Sequence, residues 1–112
     1  MRPIPAKIRN TLEAMPRMRI CEAKFYDQGA CVGRIQWHHV WEYQGRQINE
    51  VWAILGACEL HHERVKTTWQ VKEAFERRSL ELASKEDLAK YPRFNWLQRK
   101  KYLKRKLIPS SS

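Results

Sequence analysis

The sequence predicts a small α+β domain: two extended runs joined by a turn, held by a metal ion, with helices on either side. Three observations carry this expectation. Residues 35–40 alternate, with Ile35, Trp37 and His39 on one face and Gln36, His38 and Val40 on the other, which is the period of a strand. From about Glu59 the spacing becomes helical, and Val71, Ala74, Phe75 and Leu82 form one stripe of a longer helix. Between these regions lie all four histidines, as the pairs His38-His39 and His61-His62. With Cys21, Cys31 and Cys58 they place seven metal-capable side chains in a window of 42 residues.

Each element has a local reason. Ile8, Leu12 and Met15 fall at i, i+4 and i+7 and predict a short amphipathic helix over residues 5–15, closed by Pro16. Met18 to Phe25 reads as extended, and Asp27-Gln28-Gly29 and Gly33 are turn signals. After the strand, Gln44-Gly45-Arg46 predicts a turn. Ile48 to Leu55 then reads as a second extended run, with helix as the competing assignment, and Gly56 is expected to break it either way. Ser84 and Asp87 have capping-box spacing, so a short helix should start near Lys85 and stop at Pro92. A last helix is expected from about Arg93 to Leu107, with Trp96, Leu103 and Leu107 on one side, before a frayed Pro-Ser-Ser-Ser end. Trp37, Trp41 and Trp52 should fill the core of a unit with so small a sheet, and Trp69 and Trp96 should pack between helices.

At 112 residues the chain reads as one domain, small enough for a metal to help hold it. It divides into an N-terminal helical arm (1–20), a core (21–66) and a basic helical extension (67–108). The net charge of +10 is unevenly placed: residues 21–62 carry −2, residues 1–20 carry +4 and residues 92–112 carry +7. Six of the eight residues from Arg99 to Lys106 are basic, so DNA or RNA is the expected partner of the ends. No secretory core opens the chain and no apolar run approaches membrane-spanning length. A reducing cytoplasm is therefore expected, where clustered cysteines bind metal more often than they pair.

The central residues suggest two kinds of chemistry. Cys58 and His61, with two residues between them, have the bite of a zinc knuckle, and Cys21 and Cys31 can complete a tetrahedral structural zinc site. His38, His39 and His62 remain. Phosphodiester hydrolysis needs a base for water and a cation on the phosphate oxygens. His38 and His62 are candidate ligands for a catalytic divalent ion and His39 for the base, since neutral imidazole accepts protons near neutral pH. Adjacent strand residues point to opposite faces, so base and metal should approach the phosphate from different sides. The ion is left open between magnesium, manganese and other first-row metals. Arg34 and Arg46 are candidates for flanking phosphates, and Lys100, Lys101, Lys104, Arg105 and Lys106 for tracking a backbone.

The pattern C…C…IQWHHV…GRQI…WAILGAC-x-x-H-H over roughly residues 21–66 resembles an HNH endonuclease, the ββα-metal fold, in the zinc-knuckle form common among small phage and prophage proteins. The family's ending is C-x-x-C-H, and Cys58, His61 and His62 stand at those places, with His61 replacing a cysteine. The resemblance implies His38 as a catalytic-metal ligand, His39 as general base, and DNA cleavage to 5′-phosphate and 3′-hydroxyl ends. It also implies a phage- or prophage-encoded protein in the cytoplasm of a bacterial host. The family's middle asparagine falls on Ala53, and Asn49, four residues earlier, is the candidate for its bracing role. Two other readings stay open. One is a zinc-stabilised accessory protein of recombination or replication that binds nucleic acid without cutting it. The other makes the four histidines one structural metal cluster. Branched or single-stranded DNA and a monomer or homodimer are all compatible with the sequence.

Overall fold

The computed structural model describes residues 4–23 and 29–106 and, within the last helix, side chains as far as Leu103. In chain order the elements are α1 (Ala6–Glu13), β1 (Ile35–His39), β2 (Glu42–Tyr43), β3 (Arg46–Gln47), β4 (Ile54–Cys58), α2 (Glu59–Arg64), α3 (Trp69–Leu82), α4 (Lys85–Ala89) and α5 (Trp96–Lys106), with 3₁₀ turns at Pro16–Arg19 and Val51–Ala53. This is an α+β arrangement: a two-stranded antiparallel hairpin with helices before and after it, compatible with a ββα fold.

The hairpin is formed by β1 and β4, in a register that sets Ile35 opposite Cys58, His38 opposite Leu55 and His39 opposite Ile54. Its tip is a second small ladder, β2 with β3, closed by Gln44 and Gly45 at φ 54° and 79°. Positive φ at both central residues is the type I′ geometry that matches strand twist. The expected turn is therefore present. The second extended run, however, is not Ile48–Leu55. Ile48 is buried and its N–H donates to the Trp41 carbonyl at 3.0 Å. Residues 51–53 then coil into a 3₁₀ turn, and the strand begins only at Ile54.

Gly56 does not break that strand; it lies in the middle of it, opposite Trp37. The N-terminal arm approaches so closely that a Cβ at Gly56 would lie 2.3 Å from the Ile20 carbonyl oxygen. Only glycine admits that contact. The same approach corrects the expectation for Met18–Phe25: its first residues belong to the 3₁₀ turn, with Met18 buried against Leu12 and Ile54. Residues 24–28, and with them the end of that run and most of the expected turn at 27–29, lie outside the described residues, as do Leu107 and the terminal serines.

Arg17 fixes the arm. Its guanidinium donates to the carbonyl oxygens of Val51 at 2.6 Å and Ile54 at 3.1 Å and to Glu22 at 3.1 Å. Glu22, fully buried, also accepts from Arg78 Nε of α3 at 2.8 Å. A buried carboxylate is tolerated only when paired this way, and the pairing ties arm, hairpin and α3 together.

On the other side, α3, α4 and α5 pack an aromatic core on the hairpin. Trp41, Trp52 and Trp96 meet edge to face, at 5.1 Å between the Trp41 and Trp96 ring centroids and 5.8 Å between those of Trp52 and Trp96. Ser79 links this core to the backbone, accepting from Trp41 Nε1 and donating to the Trp52 carbonyl. The Ser84–Asp87 capping box forms as expected. The last helix starts later than expected, at Trp96, because Asn95 Oδ1 caps it by accepting from Gln98 N. Trp69 does not pack between helices: it is 54% exposed at the start of α3.

Candidate functional site

Strand β4 ends at Cys58, and α2 begins at the next residue. Cys58 is also the N-cap: its sulfur accepts the His61 backbone N–H at 3.4 Å, which folds the knuckle back on itself and brings the His61 ring beside the thiol. Cys21, from the arm, and Cys31, from the loop before β1, complete the group. The four ligand atoms lie within 4.8 Å of one another. His61 Nδ1 stands 3.1 Å from Cys58 Sγ, 3.4 Å from Cys21 Sγ and 3.8 Å from Cys31 Sγ. A tetrahedral zinc ion, with bonds of about 2.3 Å to sulfur and about 2.1 Å to nitrogen, requires S···N edges of about 3.6 Å. The residues fit the ion. Cys21, Cys31, Cys58 and His61 could hold a structural metal, with no position left for substrate.

Without metal the thiols differ. Burial pushes Cys21 up to about 12. Burial also opposes ionisation of Cys58, but the backbone N–H groups of His61 and Val32, the Cys21 thiol and the His61 charge bring it down to about 7. Cys58 thus ionises before Cys21, whose proton an entering cation must displace.

The other three histidines lie toward the hairpin's opposite end. His38 meets His62 of α2 edge-on, ring centroids 5.2 Å apart, and Phe75 of α3 at 5.1 Å. Two imidazoles sharing one ion through nitrogen bonds of about 2.1 Å would have centroids about 5 Å apart. Burial, with His62 and His39 adding repulsion, lowers the His38 pKa to about 4. It is neutral at pH 7 and has a lone pair to donate. His39 contacts a different neighbour: its Nε2–H donates to Asn49 Oδ1 at 2.8 Å. In the neutral ring that bond places the proton on Nε2 and leaves the lone pair on Nδ1. Despite their different neighbours, His38 and His39 both border one cleft of about 550 Å³, whose other wall carries Val65, Lys72, Glu76, Phe94 and Arg99.

The remaining candidates are dispersed. Arg34, exposed, precedes Ile35 at the cysteine end of β1, four residues or about 13 Å of strand from His38. Arg46 is exposed on β3 and borders a different hollow, with Tyr43, Ile48 and Tyr91. Lys101 is exposed on α5. Lys100 lines a groove with Arg77 and Leu80, and the side chains of Lys104, Arg105 and Lys106 lie outside the described residues. Sequence reasoning missed the far wall of the cleft. Glu73 and Glu76 are both buried and both pair with Arg99. Burial raises the Glu76 pKa, while Arg99, its hydrogen-bond donor, opposes the rise. The available signal was two glutamates interleaved with Val71, Ala74 and Phe75 on the inward stripe of α3.

No protein-family model matches the chain, and comparison with curated proteins and with solved structures finds no match. Fold and site together define a small α+β domain with a Cys₃His group able to hold a metal ion. Among the described residues no helix is long and apolar enough to cross a membrane.

Proposed function

We propose that the chain is a metal-dependent endonuclease of the HNH type, stabilised by zinc at Cys21, Cys31, Cys58 and His61, that hydrolyses DNA phosphodiesters to 5′-phosphate and 3′-hydroxyl ends. The observation that carries this reading is the division of labour between neighbouring histidines. His39 Nε2 is held by Asn49, which leaves Nδ1 as the ring nitrogen outside that bond, while neutral His38, on the same cleft as His39, has the His62 ring 5.2 Å away.

His38 and His62 would hold the divalent ion, magnesium, manganese or another first-row metal, whose charge would stabilise the phosphate oxygens. His39 Nδ1 takes a proton from the attacking water, and Asn49 keeps the ring in the tautomer that can do so. The zinc group would fix the start of α2 and hence His62. Arg34, Arg46 and the basic α5 would contribute salt-sensitive contacts to flanking phosphates. The reading places the protein in a bacterial cytoplasm, phage- or prophage-encoded, working as monomer or homodimer.

A second reading, a zinc-stabilised nucleic-acid-binding accessory protein without catalysis, is favoured by one observation. Among the described residues the only group of three or more histidine, cysteine or acidic ligands close enough to hold an ion is the Cys₃His set. An ion at His38 and His62 would complete its shell with water and phosphate. Plasmid nicking with added magnesium or manganese separates the readings. Nicking by wild type, lost in His39→Ala with zinc retained, supports the nuclease. Gel-shift without nicking under every metal supports the binding module.

A further inference from the structure

Trp69 is 54% exposed, an unusual position for the side chain with the most apolar area to bury. It begins α3, and Lys72 and Glu76 follow it at i+3 and i+7 on the same helical face. Lys72 and Glu76 border the cleft with His38 and His39, as does Val65 at the end of α2. Trp69 therefore stands one turn beyond the cleft wall, on the stripe that forms it. The chain on either side of it carries exposed cations: Arg64, Lys66 and Lys72. Lys66 lies 3.8 Å from Glu63, but that pair is exposed and water-screened, so it offsets little of the local charge.

We propose that Trp69 is a stacking platform for an unpaired base, with Arg64, Lys66 and Lys72 on the adjoining phosphates, so that the strand presented to the histidine cleft is single-stranded DNA or a locally unpaired segment of it. The proposal rests on the reading of the cleft as a phosphodiester site and deepens it by naming the substrate's form. The physical reason is that aromatic faces and a cationic track bind single strands together, whereas a duplex keeps its base faces stacked and offers an exposed indole no partner.

The test is equilibrium binding of the full-length, zinc-loaded chain, without other added divalent ion, to oligodeoxythymidylate of about twelve nucleotides. A blunt duplex is the control. Trp69→Ala should weaken binding to the oligonucleotide about tenfold, Trp69→Phe should keep most of the affinity, and both should bind the duplex as wild type does. The position is exposed, so melting temperatures should coincide. Equal affinity of wild type and Trp69→Ala for the oligonucleotide overturns the proposal. So does an equal loss on single strand and duplex, or a Trp69-dependent preference for oligouridylate over oligodeoxythymidylate. A chain that grips the oligonucleotide through Trp69 yet never nicks DNA leaves the platform standing and defeats the nuclease. Nicking that persists with no Trp69-dependent binding does the reverse.

Discussion

Two groups of metal-capable side chains sit toward opposite ends of one short hairpin, and they are built differently. At the Cys58 end, four ligand atoms converge within 4.8 Å, three of the four residues are buried, and the backbone caps the geometry. At the His39 end the contacts are pairwise, His38 with His62 and His39 with Asn49, and of these residues His38 and His39 border a cleft of about 550 Å³. A closed tetrahedron suits a structural ion, whereas chemistry needs an open position. The contrast teaches that ligand-type residues alone do not define a site's role: convergence and access do.

The largest expected effect breaks the first region. Structural zinc binding contributes free energy comparable with the whole stability of a domain this size. Chelation, or Cys58→Ser, should therefore abolish cooperative thermal unfolding by circular dichroism, and elemental analysis should find about one zinc per folded chain. A Cys58→Ser protein that melts like wild type would show that the four residues are merely packed together.

The next effect separates the two regions. His39→Ala should lower the nicking rate by about 10²–10⁴-fold, the range of general-base contributions, while zinc content and melting temperature stay at wild-type levels. If His39→Ala instead loses zinc, the boundary between the regions disappears, and all four histidines belong to one structural cluster.

A third prediction concerns His38. Its folded-state pKa is about 4 against an ordinary 6.5, so between those values the unfolded chain binds a proton that the folded chain refuses. Its contribution is fully present above pH 6.5, falls as the pH drops, and is gone below about 4. The shift corresponds to about 3 kcal/mol. Urea unfolding of zinc-loaded protein should show this slope, and His38→Gln should flatten it. An unchanged slope in His38→Gln would mean that the acid sensitivity comes from the cysteine group.

Much of this comparison was legible in the sequence, for reasons of distance along the chain. β1 declares itself by alternation, the α4 cap by Ser84 and Asp87, and the knuckle by the spacing of Cys58 and His61; all are local. The parts that were hidden depend on approaches from remote segments. Gly56 reads as a breaker until Ile20 is seen against it. Ile48–Leu55 reads as one strand until Ile48 and Trp52 are seen turning into an aromatic core built by α4 and α5. The far wall of the cleft needed α3 and α5 to be packed together, since Glu76 finds Arg99 more than twenty residues away. Trp69 was hidden for the opposite reason: hydrophobicity argues for burial, and only the fold shows it exposed.

The smallest effect sharpens the open region. Asn49 touches no reacting atom in the proposed scheme; it is a positioning residue acting through His39. Asn49→Ala should slow nicking about tenfold, the order of one hydrogen bond, with zinc content unchanged. Asn49→Asp distinguishes positioning from packing. Its carboxylate still accepts from Nε2, so the ring orientation and most of the rate should return. If both variants lose the same rate, Asn49 only supports the loop. If the Asp variant recovers most of the rate while the Ala variant does not, the 2.8 Å bond orients the base.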